Sequence, residues 1–558
     1  MSDTTVFNLS LIIALIVFGL GLIYRIAAWF RLGPGEALPA RRLASVARGA
    51  GLFLVSGRFL LGLGVFVRDG LLQVRLLRRD VAGWLMHVLI SWGFLGLLVM
   101  HALDSLLTAR LFSGYQPTVN PFLLLRDVFG VAVLVGVVLA VVRRIWRPAL
   151  RRMTGRVDVI ALVLLGVIVL SGFFLEATKI NSPSRFTAMV AQYADPGATR
   201  EIPALKAFWR QEYGVRFNDV RPPFKTSLLK QGRSLHQQSC AECHSRPRSA
   251  FASWGLSRLI APATPGLERV RADKILWYIH FLACFLGLAY LPFSKFWHLV
   301  ATPLTQAVGP TLDREAMTPE LAVTMQALEL DACTRCAACA EACSVVQSWR
   351  CLGNDTILPA RKLAAYRKVF QGKRLDEADL LTLQEGQSIC TNCHRCTDVC
   401  PAGIDLHQVW RTLEADLHQR GYPGSFTWAR LLAAKGLTGD RQGAVEPRWT
   451  DFQTGLDLAA QTGNFWACFE CVTCTNGCPV VANYENPADM LDLLPHQLMR
   501  ALRLGLKEEV MGARMLWNCL ACYKCQEECP QGIQVADIFY ELRAMGFQSL
   551  RNYTGKKS

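Results

Sequence analysis

The residues best equipped for chemistry are cysteines. Sixteen of the twenty form four runs of the form C-x2-C-x2-C-x3-C, all after residue 330. The runs are Cys333, Cys336, Cys339, Cys343; Cys390, Cys393, Cys396, Cys400; Cys468, Cys471, Cys474, Cys478; and Cys519, Cys522, Cys525, Cys529. Three thiolates so spaced can clasp three corners of an iron–sulfur cubane, and in two-cluster arrangements the fourth cysteine of each run reaches the partner cluster. The expected [4Fe-4S] sets are therefore one, Cys333, Cys336, Cys339 and Cys400; two, Cys390, Cys393, Cys396 and Cys343; three, Cys468, Cys471, Cys474 and Cys529; and four, Cys519, Cys522, Cys525 and Cys478. Structural zinc would call for paired CxxC or Cys/His sets, and a disulfide framework does not suit a chain of this size. Pro401, Pro479 and Pro530 follow three of the runs; Ser344 stands in the fourth place and is expected to alter only the local turn. Cys284 and Cys351 are read as packed thiols, and His394 as a residue that packs beside or tunes a cluster.

A second group is Cys240-Ala241-Glu242-Cys243-His244. Two thiols of a CxxCH can form thioethers to haem vinyl groups while the adjacent histidine, His244, ligates the iron. A c-type haem is the expectation here, with Met189 and His236 as candidates for the sixth ligand. The third group is four histidines in apolar stretches. His87 and His101 are fourteen positions apart, and His280 and His298 eighteen. At about 100° per residue each pair shares a helix face, and eighteen residues of one helix would separate His280 from His298 by roughly 27 Å. Ionisable residues inside spanning helices usually mark function.

The elements that must position these groups follow from hydropathy. The 558 residues are 52% hydrophobic, with a mean hydropathy of +0.24, and the apolar excess lies before residue 301. Spans are expected at 6–30, 81–107, 121–142, 157–177 and 274–300. The N-terminal run lacks the basic region of a signal peptide and is expected to be retained as a span. The Arg-rich region 31–80 reads as interfacial helices, with a further span as its alternative. The net charge of +16 is gathered in loops after spans one and three, which sets those loops in the cytoplasm; no nucleic-acid motif accompanies it. The N-terminus and the polar insert 178–273 then lie outside, in the periplasm of a bacterial inner membrane, and everything after 300 lies inside. Covalent haem outside and iron–sulfur clusters inside agree with that charge rule, which did not use them. Antiparallel packing of spans two and five would match His101 with His280 towards the outer face and His87 with His298 towards the inner face, each pair holding one haem b.

Five spans, an outside N-terminus and histidine pairs on spans two and five resemble the gamma-subunit cytochrome b of respiratory nitrate reductase and the membrane subunits of heterodisulfide reductases. That resemblance implies two haems b and exchange of electrons with a quinone. It covers about 1–180 and 274–310, and leaves the long insert with its CxxCH unexplained. The helical stretches between paired cysteine runs, such as PARKLAAYRKVF and ADMLDLLPHQLMRALRL, look like the alpha-helical ferredoxin domain of heterodisulfide reductase and succinate dehydrogenase iron–sulfur subunits. That module would appear twice. No adjacent Cys-Cys pair is present, so disulfide reduction by this chain is not implied.

The expected architecture is mainly α: a five-span bundle (1–177 and 274–300), an extracytoplasmic haem c insert (178–273), a linker (301–330), and two cytoplasmic ferredoxin-like modules (331–420 and 465–545) joined by a connector (421–464), with a tail at 546–558. Asp104, Arg126, Asp127, Glu176 and Lys179, at the outer span ends, are candidates for a quinone pocket. The sequence carries neither a dinucleotide-binding glycine fingerprint nor a nucleophile elbow, so substrate chemistry is expected on a partner, a cytoplasmic flavoprotein or a dehydrogenase or reductase catalytic subunit. The expected role is that of an electron conduit between quinone or a periplasmic cytochrome c and that partner. Two alternatives are a self-contained ferredoxin:quinone oxidoreductase and a membrane redox sensor, whose output domain the sequence lacks.

Overall fold

A computed structural model of the chain describes all residues except 1, 34–37, 194–200, 347–348, 350–352, 391–392, 423–464, 466 and 555–558. Cys351 and nearly all of the expected connector lie outside the described residues. Those described are helical, without a strand among them. Among the described residues five helices are long and apolar enough to cross a membrane: Asp3–Arg31, Val81–Ala102, Phe122–Trp146, Arg156–Asn181 and Ala272–Phe293. A sixth, broken crossing is admitted by length and composition at Pro39–Val55 and Arg58–Leu71, which meet at 91°.

The fifth helix departs from expectation. It does not run through to residue 300: its α-helical part ends at Tyr290, a 3-10 turn spans Leu291–Phe293, and a new helix, His298–Val308, starts on the second histidine. Pro292 has no N–H to continue the ladder, and the Ser294 hydroxyl accepts from the Phe296 N–H (3.1 Å) to restart it. His280 and His298 therefore do not sit on one continuous helix. The second helix also changes character, passing into π-type turns at Leu98–Ala102, which hold His101. Such turns insert a residue into the helical register and re-aim the side chains after it.

The chain divides into two compact units, the first made of Met1–Ile26 and Val67–Leu299. Within it the second and third apolar helices approach at glycines. A Cβ on Gly93 would stand 2.8 Å from the Phe129 carbonyl oxygen, and one on Gly136 would stand 3.0 Å from that of Met86. Small residues let apolar helices gain dispersion energy where no hydrophobic drive separates helix from lipid. Asp80 caps the second helix by accepting from the Gly83 N–H (2.9 Å) and pairs with Arg143 in the last turn of the third and with Arg147 just past it. The polar insert is largely helical along its described residues. It forms helices at Pro183–Tyr193, Ile202–Glu212, Thr226–Ser239 and Phe251–Ile260, around a core of its own that includes Phe186, Phe208, Trp209, Tyr213 and Phe217.

The second unit is Ala27–Phe66 with Val300–Ser558. Arg42, expected in an interfacial basic stretch, is buried at 3% exposure. It donates to the Trp29 and Leu32 carbonyls (2.5 and 2.8 Å) and to Thr324 Oγ1 (3.1 Å). Trp29 Nε1 donates to Asp331 (2.8 Å), two residues before the first cysteine run. Helix Pro39–Val55 thus packs on helix Pro319–Ala332 and braces that run.

Asp127, on the third apolar helix, accepts from the N–H groups of Ala252 and Ser253 and from the Ser253 hydroxyl (2.8, 3.1 and 2.9 Å). It caps helix Phe251–Ile260 of the insert. Asp127→Ala is expected to destabilise the purified protein by about 1–3 kcal/mol, read as a lower melting temperature in detergent; an unchanged melting temperature would contradict the capping role.

Candidate metal centres

Over the described residues, the cysteine runs follow the same backbone path. Positive φ recurs at fixed places between its cysteines, at Arg335 and Ala337 (54° and 65°), His394 (61°), Glu470 and Val472 (60° and 65°), and Ala521 and Tyr523 (54° and 64°). None of these is glycine, so each costs roughly 1–2 kcal/mol that the surrounding structure must offset. The left-handed residues curl the backbone around the space the thiols face and turn N–H groups inward. The Ala521 N–H lies 3.5 Å from Cys519 Sγ, and the Ile533 N–H 3.4 Å from Cys529 Sγ. A four-residue helical turn then carries the third cysteine of each run.

The structure places cysteines from both runs of each module near one another. Cys339 faces Cys333, Cys336 and Cys400; Cys343 faces Cys390 and Cys396, which also faces Cys393. Cys474 faces Cys468, Cys471 and Cys529, and Cys478 faces Cys519 and Cys522, as does Cys525. Burial, then neighbouring sulfur, pushes Cys474 up to about 11. Burial, only partly offset by backbone N–H groups, pushes Cys343 and Cys400 up to about 12. Bare thiols so placed stay protonated, whereas an iron–sulfur core makes them bind as thiolates. Among the described residues no three His, Cys, Asp or Glu side chains close on a single-ion site, while sets three and four each line an open space, of about 360 and 330 Å³. That geometry fits a cubane better than zinc. Within each module the two sets approach through their third cysteines, Cys339 with Cys396 and Cys474 with Cys525.

Side chains beyond the ligands had no signal in the cysteine pattern. Ser344 does more than alter a turn, since its hydroxyl lies 3.1 Å from Cys393 Sγ. Lys362, buried at 1% exposure, holds Gln387 Oε1 (3.3 Å), sits over the Trp410 ring and faces Cys343 and Cys396. His394 stacks on His407, with centroids 3.8 Å apart.

In the first unit the four apolar-segment histidines form two pairs. The ring centroids of His101 and His280 are 5.9 Å apart, and those of His87 and His298 6.1 Å. Two metal–nitrogen bonds of about 2.0 Å each, plus roughly 1.1 Å from each nitrogen to its ring centre, put two imidazoles on one iron about 6 Å apart. The remaining ring nitrogens are engaged in three cases of four. His280 Nδ1–H donates to the Ile168 carbonyl (3.0 Å), with Ser171 Oγ at 3.1 Å, and His298 Nδ1–H donates to the Lys295 carbonyl (2.7 Å). His87 Nδ1–H donates to Gln73 Oε1 (2.9 Å), whose amide is oriented by donating to Ser91 Oγ (3.0 Å). A donating Nδ1 leaves Nε2 unprotonated, as a metal ligand requires. Gly172 adjoins His280, so a Cβ there would lie 3.1 Å from the imidazole Cε1. Gln73, Ser171 and Gly172 were not foreseen; the one local sign is the left-handed φ of 55° at Gln73.

In the insert, Cys240, Cys243 and His244 occupy one turn after helix Thr226–Ser239, with the His244 N–H donating to the Cys240 carbonyl (2.9 Å). The Trp209 ring meets both His236 and His244 edge-on, at 5.7 and 5.5 Å. The Tyr213 hydroxyl contacts His236 Nε2 (2.8 Å) and the His244 carbonyl (3.1 Å). Burial lowers His236 to about 4, so it is neutral. Its Nδ1 and the Trp209 Nε1 are buried with no hydrogen-bond partner, which suits a bound group in this core. Met189 packs on the same core. Of the quinone candidates, Asp104, Arg126 and Lys179 gather around His101, and Arg126, Asp127 and Lys179 around Glu176. Asp127 is already committed to its cap, and Arg126 donates to the Pro117 carbonyl (2.9 Å).

Residues 329–404 and 465–533 match the family described as 4Fe-4S dicluster domain. The chain is similar to the EtfAB:quinone oxidoreductase of Syntrophomonas wolfei, 23% identical over 383 residues, covering 60% of this chain and 45% of that protein. It is also similar to a CoB–CoM heterodisulfide reductase iron–sulfur subunit of Methanopyrus kandleri, 34% identical over 91 residues (16% of this chain, 40% of that protein). With a subunit of the dihydromethanophenazine:CoB–CoM heterodisulfide reductase of Methanosarcina barkeri it shares 26% identity over 123 residues (20% and 28%). The chain thus spans less than half the length of each of these relatives. The first alignment is too long to fit between residue 329 and the C-terminus, so it reaches into the residues before the cysteine runs. No solved structure matches the chain. Both cysteine modules match the 4Fe-4S dicluster family, and part of the chain shares the iron–sulfur homology of heterodisulfide reductase subunits.

Loss of a hydroxyl that donates to a ligand sulfur disfavours the reduced, more negative state of a cluster. Ser344→Ala is therefore expected to lower the midpoint potential of the cluster that Cys393 would hold, measured by EPR-monitored redox titration, with unchanged iron content. An unmoved midpoint would mean that the contact is packing alone.

Proposed function

We propose that the chain is a membrane-bound electron-transfer subunit of a respiratory oxidoreductase. It passes electrons between a quinone/quinol pool or a periplasmic c-type cytochrome and a redox enzyme on the cytoplasmic side. The observation that carries the reading is the pair of imidazole couples at iron-spanning separation, each with at least one Nδ1 engaged, in a chain that also holds four cysteine runs. His101 with His280 and His87 with His298 would hold two haems b. Cys240, Cys243 and His244 would hold haem c, and the sixteen cysteines four [4Fe-4S] clusters. When bound, these groups supply reversible one-electron transfer.

The chain's own residues do the rest. Ile168, Lys295 and Gln73 fix the imidazole tautomers. The left-handed loops present N–H dipoles to the sulfurs. Asp104, Arg126 and Lys179 lie around the outer histidine pair, with Glu176 beside Arg126 and Lys179, and these are the groups that could bind a quinone headgroup and relay its protons. The orientation follows the Arg-rich loops, with the insert outside and the cysteine modules inside.

The likeness to an EtfAB:quinone oxidoreductase favours keeping a second reading, a complete quinone oxidoreductase fed by a soluble protein donor. The isolated chain would then reduce a quinone analogue with reduced ferredoxin alone, whereas the subunit reading requires a partner for turnover.

His280→Ala is expected to remove one haem b and leave haem c and the clusters in place, counted by pyridine haemochrome spectra and by iron and sulfide analysis. Retention of both haems b would remove His280 as a ligand and the reading with it.

A further inference from the structure

The last helix, Val535–Thr554, joins the two cysteine modules, and it does so at two particular sets. Three of its residues lie at i, i+3 and i+6, and so share one face. Asp537 accepts from the Tyr523 hydroxyl (3.0 Å) and from Gln526 Nε2 (3.0 Å), clamping the helix to the loop of the fourth run. Arg543, at 2% exposure, donates to the carbonyls of Leu516, Trp517 and Cys519 (2.6, 2.9 and 2.8 Å). These bonds tie the helix to set four.

The same stripe reaches the other module. Tyr540 packs on the small core of Val345, Ile357 and Ile389, together with Cys343, and it also lies beside Cys519. The guanidinium of Arg543 lies close enough to both Cys519 and Cys390 for their charges to interact. Cys343 and Cys390 belong to set two, and Cys519 to set four. One tyrosine and one buried cation are therefore shared by sets drawn from different modules.

We propose that Arg543 and Tyr540 form an electrostatic junction between sets two and four, so that the four sets are coupled in the order one, two, four, three rather than in the order of the sequence. The proposal rests on the reading that all four sets carry clusters. Within a module the sets meet through Cys339 and Cys396 and through Cys474 and Cys525, and the junction supplies the one link between modules that the order needs. Arg543 is a positioning and tuning residue. Guanidinium keeps its charge when buried, and a fixed positive charge favours the more negative, reduced state of every centre it faces. Transfer across the junction moves one electron, oxidising one centre as it reduces the other, with no proton required.

The test uses the full-length protein purified with its clusters. Iron and sulfide analysis of the wild type first checks the four-cluster reading by itself. Cys393→Ser and Cys522→Ser then assign the EPR signals of sets two and four by the change in each. Arg543→Gln is expected to lower the midpoints of both sets two and four and to leave those of sets one and three in place, while Arg543→Lys restores most of the shift. Independently, the signals of sets two and four should broaden one another when both are reduced, so Cys522→Ser should narrow the signal of set two. This second measurement stands even where Arg543→Gln fails to fold. A midpoint shift confined to set four, or a set-two signal indifferent to Cys522→Ser in a protein that retains its other three clusters, would overturn the junction.

Discussion

Like groups do not gather in a low-dielectric interior unless something binds them there. Sulfur ligands, among them Cys339, Cys343, Cys400, Cys474 and Cys525 that burial makes weaker acids, are held within reach of one another by loops whose own backbone is strained at Arg335, Ala337, Glu470, Val472, Ala521 and Tyr523. The histidine pairs state the same constraint in another form, with one nitrogen of a ring hydrogen-bonded and the other turned towards a partner ring. Bound iron, as proposed, would satisfy all of these groups at once, and the rest of the structure would then be the frame that keeps them in place.

That constraint explains where the fold places its polar contacts. Gln73 would be an unremarked residue of a basic loop, were it not in a left-handed conformation that aims its amide at His87. Ser344 replaces the proline of the other runs and puts a hydroxyl on Cys393. Lys362 and Arg543 bring buried positive charge to cysteines that would become anionic as ligands. Each acts at a distance of one contact from a sulfur or a ring nitrogen, the distance at which a protein tunes a redox centre it does not itself constitute.

Much of this was legible in the sequence because the informative signals are local. The four cysteine runs repeat with one spacing, and the five apolar helices follow from hydropathy alone. The histidine pairing followed from helical phase, although that phase requires an unbroken helix to 300 and Pro292 breaks it. His298 meets His87 all the same, from the first residue of the next helix. The features that escaped reading depend on contacts between distant residues. Arg42 looks like a surface charge until Trp29, Leu32 and Thr324 are seen to enclose it, and Asp127 like a pocket residue until it is found at the N-terminus of a helix more than a hundred residues away. The aromatic core of the insert draws on Phe186, Trp209 and Phe217, whose spacing has no single period to recognise.

The most direct measurement is of the metal and porphyrin that the purified chain contains. Quantifying iron, acid-labile sulfide and haem should give about sixteen iron in clusters and three haem irons per chain, with one haem left on the protein after acid–acetone extraction. A chain that binds zinc in place of iron and sulfide, or that carries no porphyrin when made in cells able to insert it, would contradict the account.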